Sequence, residues 1–160
     1  MELTSSATNK NGTGSSLASL HIRHNKAATY YDRLSNDLEA NNTDSKTLAS
    51  SLQEYHQQAA QLFEEALEAL PDTPVKPNKS MQFTVSYIIP TAAPASTVAR
   101  ALKENEESFL ELYKHLLDNN GLPDGIWKLI QNQSERAQTV VKKLDRISKS
   151  GAERDMRVLS

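Results

Sequence analysis

Residues 17–38 read LASLHIRHNKAATYYDRLSNDL. Leu17, Leu20, His24, Ala27, Tyr31, Leu34 and Leu38 recur in it at steps of three and four, the spacing that sets side chains on one face of an α-helix. The stretch predicts a helix with a single buried stripe, which needs other elements to cover it. Asn41 and Asn42 compete with the backbone for hydrogen bonds and stop the helix, while Thr43 or Asp44 can cap the next one. So short a turn implies antiparallel neighbours.

Outward from this helix the pattern repeats. Leu48, Leu52, Tyr55, Ala59, Leu62 and Ala66 form a second stripe, widened by Phe63, Leu67 and Leu70 and ended by Pro71. A third helix is expected from Pro94 or Ala95 to Asn119, capped by Ser96 or Thr97, with Val98, Leu102, Asn105, Phe109, Leu112 and Leu116 on its stripe. Asn119-Asn120-Gly121 stops it, because glycine tolerates the left-handed cap conformation. A fourth, Asp124 to Lys149, carries Ile126, Ile130, Gln133, Ala137, Val140, Leu144 and Ile147. Between the second and third helices, Met81 to Ile89 alternates like a strand but has no partner strand. Flanking prolines favour an extended crossover, so residues 71–94 can travel the length of the bundle. The expected fold is all-α: an antiparallel four-helix bundle over residues 17–150 with a long crossover between helices two and three, the ferritin-like topology.

The ends read differently. Residues 1–16, MELTSSATNKNGTGSS, are too polar to bury and are expected to form a disordered tail, a composition also met on exported effectors; residues 151–160 read as a polar C-terminal tail. The 160 residues suit one domain. Eighteen basic against twenty acidic residues, mixed along the helices, lack the basic stripe of a nucleic-acid binder. No apolar run approaches the roughly 18–20 residues that span a bilayer, and no basic-then-apolar leader opens the chain. Cysteine is absent, which removes disulfides, thiolate metal sites and cysteine nucleophiles. These features predict a cytoplasmic protein that contacts neither nucleic acid nor membrane.

Candidate chemistry centres on polar residues within the stripes: His24, Tyr31, Tyr55, Asn105 and Gln133. Each costs free energy unless bonded, so together they form either a network fixing helix register or the lining of a ligand centre. A carboxylate di-metal bundle needs Glu-x-x-His on two helices, and the chain has none. Glu54 and His56 are spaced to diverge, and Glu111 and His115 share a face beside the stripe, so a rim position is expected for all four. His24, Glu106 and Gln133 are the candidate metal ligands, although no metal and no cofactor is predicted. His21 and His24, three apart and near Lys26, fit weak metal binding or a phosphotransfer histidine, but the glycine that such a site needs for partner approach is missing. Glu104, Glu106, Glu107 and Glu111, with Glu64, Glu65 and Glu68, read as solvated faces. Trp127 beside Leu122 and Pro123 reads as a plug at one end, or as an exposed partner anchor.

With these elements placed, ALKENEESFLELYKHLL (101–117), the Gly121-Leu122-Pro123 turn and LIQNQSERAQTVVKKLDRI (129–147) resemble the second helical pair of an uncharacterised bacterial ferritin-like family. Glu106-Glu107 with Tyr113, and Gln133 with Glu135 and Asp145-Arg146-Ile147, match its motifs; the first pair is similar only in its leucine spacing and a tyrosine. Leu144 stands where the family commonly has histidine, and Asn25-Lys26 where it has an acidic residue. The resemblance implies the ferritin-like fold and, through these departures, a member that binds no metal even if the family does. The functional expectation is a non-enzymatic bundle acting in interaction or stress response, with another protein or its own copy in a homodimer as partner. The alternatives are a ferritin-like metal- or cofactor-binding protein with an atypical site, and a phosphotransfer or adaptor module.

Overall fold

The structure, a computed structural model, describes residues 2–70, 88–118, 121–150 and 155–159, with side chains from residue 12 onward except at 150. The described residues form four helices and no strand: α1 (Glu2–Asp37), α2 (Thr43–Glu68), α3 (Ala95–Leu117) and α4 (Asp124–Ser150). None of these helices is long and apolar enough to cross a membrane. Most of the strand-like crossover, through residue 87, lies outside the described residues. Of its end, Ile89 packs against the core and Ile88 is exposed.

Side-chain periodicity places the core. On α1, all seven expected stripe residues from Leu17 to Leu38 are buried. On α4, Ile130, Gln133, Ala137, Val140, Leu144 and Ile147 are buried and Ile126 is half-buried. The middle helices turn slightly from the expected line. α2 buries His56 and Phe63 while Leu62 and Ala66 stay half-exposed. α3 buries Glu106 and Tyr113, leaving Asn105 and Leu112 half-exposed. The steps 102, 106, 109, 113 and 116 keep the four-three rhythm as well as the expected series does, and a hydrophobic pattern cannot choose between Asn105 and Glu106 because both are polar.

α1 packs most extensively on α2, and α3 on α4. Cross-helix bonds give the register. Between α1 and α2, Ser35 meets Ser50, His24 meets His56 and His21 meets Ala60. Between α3 and α4, Arg100 reaches Ser148 and Lys103 reaches Asp145. Between α2 and α3 the numbers rise together, His56 to Glu106 and Phe63 to Tyr113. The approach to α3 is tied to the α1–α2 turn: Glu39 N–H donates to the Thr91 carbonyl, and Asn42 Nδ2 and Ser45 Oγ donate to that of Ala93.

Three local expectations are corrected. Residues 2–16 continue α1 instead of forming a tail, and Thr13 is buried. Residues 17–38 meet the cost of nucleation, so each residue added before them costs only its own helix propensity. The C-terminal segment is not a free polar tail either: Met156 and Val158 are each 2% exposed, Leu159 packs against the core, and Val158 N–H donates to Ser51 Oγ at 2.8 Å. Three apolar side chains among five residues suffice to draw it onto the bundle. Finally, the expected hydroxyl and carboxylate caps are not used. α2 starts after Asn42, whose amide serves the 91–93 loop, and α3 starts after Pro94; neither residue makes a side-chain cap bond.

Candidate functional site

The bundle's polar centre grows from adjacent turns of three helices. α1 supplies His24 and Tyr31 two turns apart, α2 supplies His56, and α3 supplies Glu106 and Tyr113, again two turns apart. All five are at most 2% exposed. Tyr31 Oη donates to Glu106 Oε2 at 2.5 Å, and His56 Nε2 lies 2.9 and 3.1 Å from the two carboxylate oxygens. His24 Nδ1 meets His56 Nδ1 at 2.7 Å, and His24 Nε2 meets the Tyr113 hydroxyl.

With Glu106 ionised and His56 neutral, one placement of protons satisfies the bonds. An ionised carboxylate only accepts, so His56 Nε2 carries a hydrogen and donates. With His56 neutral, its Nδ1 has a bare lone pair, and His24 Nδ1–H must donate to it. A neutral His24 then has a bare Nε2, which accepts from the Tyr113 hydroxyl. Every polar atom of the five side chains is matched in one direction, from Tyr113 through His24 and His56 to Glu106. Burial first, then His56, Arg23 and His21, holds His24 well below the ordinary imidazole pKa, which keeps it neutral. Burial also pushes the Tyr113 and Tyr31 phenols far up, with Tyr55 and Glu106 adding to it at Tyr113 and Glu106 at Tyr31.

Packing holds these rotamers. The His24 ring stacks on Phe109, with centroids 4.5 Å apart, and on Phe63 at 5.7 Å, while His56 stacks on Tyr31 at 5.4 Å. Arg23 lies 4.8 Å over the Phe109 ring and donates to Ser108 Oγ at 2.8 Å. His21 is apart from the cluster: its Nδ1–H donates to the Ala60 carbonyl at 2.9 Å.

Of the residues expected in the polar core, His24 and Tyr31 come together with Glu106. Tyr55 sets its ring 4.7 Å from that of His56, but its hydroxyl has no hydrogen-bond partner among the described residues. The same holds for Asn105 Nδ2, on a half-exposed side chain, and for buried Gln133 Oε1, so neither joins the chain of bonds. His56, expected at the rim, is fully buried, because it follows Leu52 by four on the stripe; its divergence from Glu54 puts Glu54, not His56, at the surface. Glu106, expected on a solvated face, is also buried, whereas Glu104 and Glu111 are exposed, as are His115 and Lys26. Trp127 is 40% exposed and does not plug the end.

Among the described residues, no group of three or more His, Asp or Glu side chains is arranged to hold a metal ion. The geometry gives the reason. Two nitrogens bound to one tetrahedral zinc at roughly 2.0–2.1 Å stand about 3.3 Å apart, whereas the His24 and His56 nitrogens are 2.7 Å apart and share a proton. Fully buried, His24 also presents no face to a phosphoryl donor. On the surface, a groove of about 710 Å³ between α3 and α4 is lined by Lys103, Glu107, Lys142, Asp145, Arg146 and Lys149. Lys103 bridges there to Asp145 at 2.8 Å and to Glu107 at 3.6 Å.

No protein-family model, curated protein or solved structure matches the chain.

Proposed function

We propose that the chain is a ferritin-like bundle with a self-bonded centre, acting through its surface as a non-enzymatic interaction or stress-related protein of the cytoplasm. Its topology is supported by the register. Residue numbers fall on one helix as they rise on the other for α1 with α2 and α3 with α4, the mark of antiparallel pairs, but rise together for α2 with α3. Helices two and three then start at one end, and the intervening chain returns along the bundle.

The observation that carries the functional reading is the saturation of the centre. Both nitrogens of His24 and of His56, and both oxygens of Glu106, are engaged by one another or by tyrosine hydroxyls, which leaves none of these six atoms unbonded. A fully satisfied network of this kind specifies how three helices align, because a shift of one turn would strand several buried polar groups. The α3–α4 groove, with both signs of charge, is the surface offered to a partner protein or a second copy.

A second reading, a ferritin-like protein with an atypical metal site, draws on the convergence of His24 and Glu106 with His56, and requires the imidazoles to part. Metal analysis of protein purified without a histidine tag separates the two. We expect iron, manganese and zinc well below stoichiometry; one equivalent of any of them overturns the first reading and supports the second.

A further inference from the structure

The hydrogen-bond chain has a second assignment, and that assignment has a defect. If a proton is added so that His56 is an imidazolium, both its nitrogens donate, His24 Nδ1 must accept, and His24 Nε2–H turns toward the Tyr113 oxygen. The phenol hydrogen of Tyr113 then has no acceptor among the described residues, where His24 is its hydrogen-bond partner. The defect vanishes if Tyr113 has lost that hydrogen. We infer that Tyr113 is a redox-active phenol, which gives one electron to an oxidant at the surface while its proton stays inside on the His24–His56 pair.

The step balances without any other group. Tyr113 is oxidised, and a one-electron oxidant of high potential, such as a radical or an oxidised metal complex, is reduced. The Tyr113 O–H bond breaks and its proton forms an N–H bond at His24 Nε2. The His24 Nδ1–H bond breaks and its proton passes across the 2.7 Å contact to His56 Nδ1. The products are a neutral phenoxyl radical, a neutral His24, and an imidazolium at His56 paired with Glu106. In the assignment with Glu106 ionised and His56 neutral, the step turns one buried negative charge into a charge-balanced ion pair. A cationic intermediate is avoided because the proton acceptor is already hydrogen-bonded to the phenol. Phe63 and His24 flank the Tyr113 ring and exclude the collisions that quench exposed phenoxyl radicals. Burial does not bar the electron, since in a bundle of this width the ring lies within roughly one helix diameter, about 10 Å, of water. The inference goes beyond the surface reading and stands whether or not that reading holds.

Hexachloroiridate(IV), a one-electron oxidant, tests it on the full chain by freeze-quench electron paramagnetic resonance. A tyrosyl signal is expected in the wild-type protein and in Tyr55→Phe, and is lost in Tyr113→Phe. A signal that persists in folded Tyr113→Phe, a tryptophanyl signal from Trp127, or no signal at all overturns the proposal. Wild-type protein labelled with ¹⁵N-histidine gives a readout that does not depend on the variant folding: the radical should show hyperfine coupling to an imidazole nitrogen, and its absence is contrary to the assignment. Voltammetry tests the fate of the proton. A Tyr113 potential independent of pH across the neutral range fits internal retention, and one that falls as pH rises shows the proton leaving to solvent.

Discussion

Each imidazole in the centre gives a proton from one nitrogen and receives at the other, so removing a single hydroxyl is felt along the chain. Tyr31→Phe keeps the ring that stacks on His56 and deletes only the donor to the Glu106 carboxylate. Hydrogen bonds to a charged group contribute about 1.5–3 kcal/mol, and we expect a loss in that range, read from the urea midpoint at constant slope. A midpoint unchanged from wild type would show that the carboxylate finds another partner. The same cluster makes stability pH-dependent. His24 has a lower pKa folded than the roughly 6.5 it has unfolded, so above about pH 6.5 both states are neutral and the full stability is present. As pH falls below that value the unfolded chain takes up a proton that the folded one refuses. Stability should therefore decline toward acid by at most about 1.4 kcal/mol per pH unit from this residue, until the folded pKa is reached. Urea titrations from neutral to mildly acidic pH check this, and a flat profile contradicts a buried neutral His24.

Among the elements, the segment after α4 most changes the view taken from sequence. Met156 and Val158 are buried, so Met156→Ala should cost about 2 kcal/mol by leaving a cavity against the core, measured by chemical denaturation. A surface tail would show no change. Residues 151–160 look polar because charged side chains surround the apolar ones, and an alternation too short to score as a strand carries no periodic signal for packing. The helices themselves were legible. The stripes on α1 and α4 are buried residue for residue from Leu17 to Leu38 and from Ile130 to Ile147, because each has apolar residues on a single line. On α2 and α3 two adjacent lines compete, and the choice falls to polar residues whose partners lie on other helices. His56 and Glu106 were hidden for that reason: each acquires its meaning only when the other is 2.9 Å away. His24 and Tyr31 could be seen as polar residues on an otherwise apolar face, though not what they bond.

At the scale of the molecule, helix direction and the polar centre depend on each other. With α2 and α3 in the register observed, His56 faces Glu106 and Phe63 faces Tyr113; displacing α3 by one turn, about 5.4 Å, would break both contacts. The loop from Thr91 to Ala93, bonded to Glu39, Asn42 and Ser45, anchors the start of α3 at the turn between the first two helices and so helps to fix that register. The self-bonded centre proposed above requires protons, rather than a bound ion or substrate, between His24, His56 and Glu106. The most direct test is long-range ¹H–¹⁵N correlation of the histidine rings in uniformly labelled protein at neutral pH. We predict a neutral His24 protonated at Nδ1 and a His56 protonated at Nε2, with both ring N–H protons protected from solvent exchange. A reversed tautomer at His24, rapid exchange at either ring, or nitrogen shifts that mark a metal-bound imidazole would contradict it.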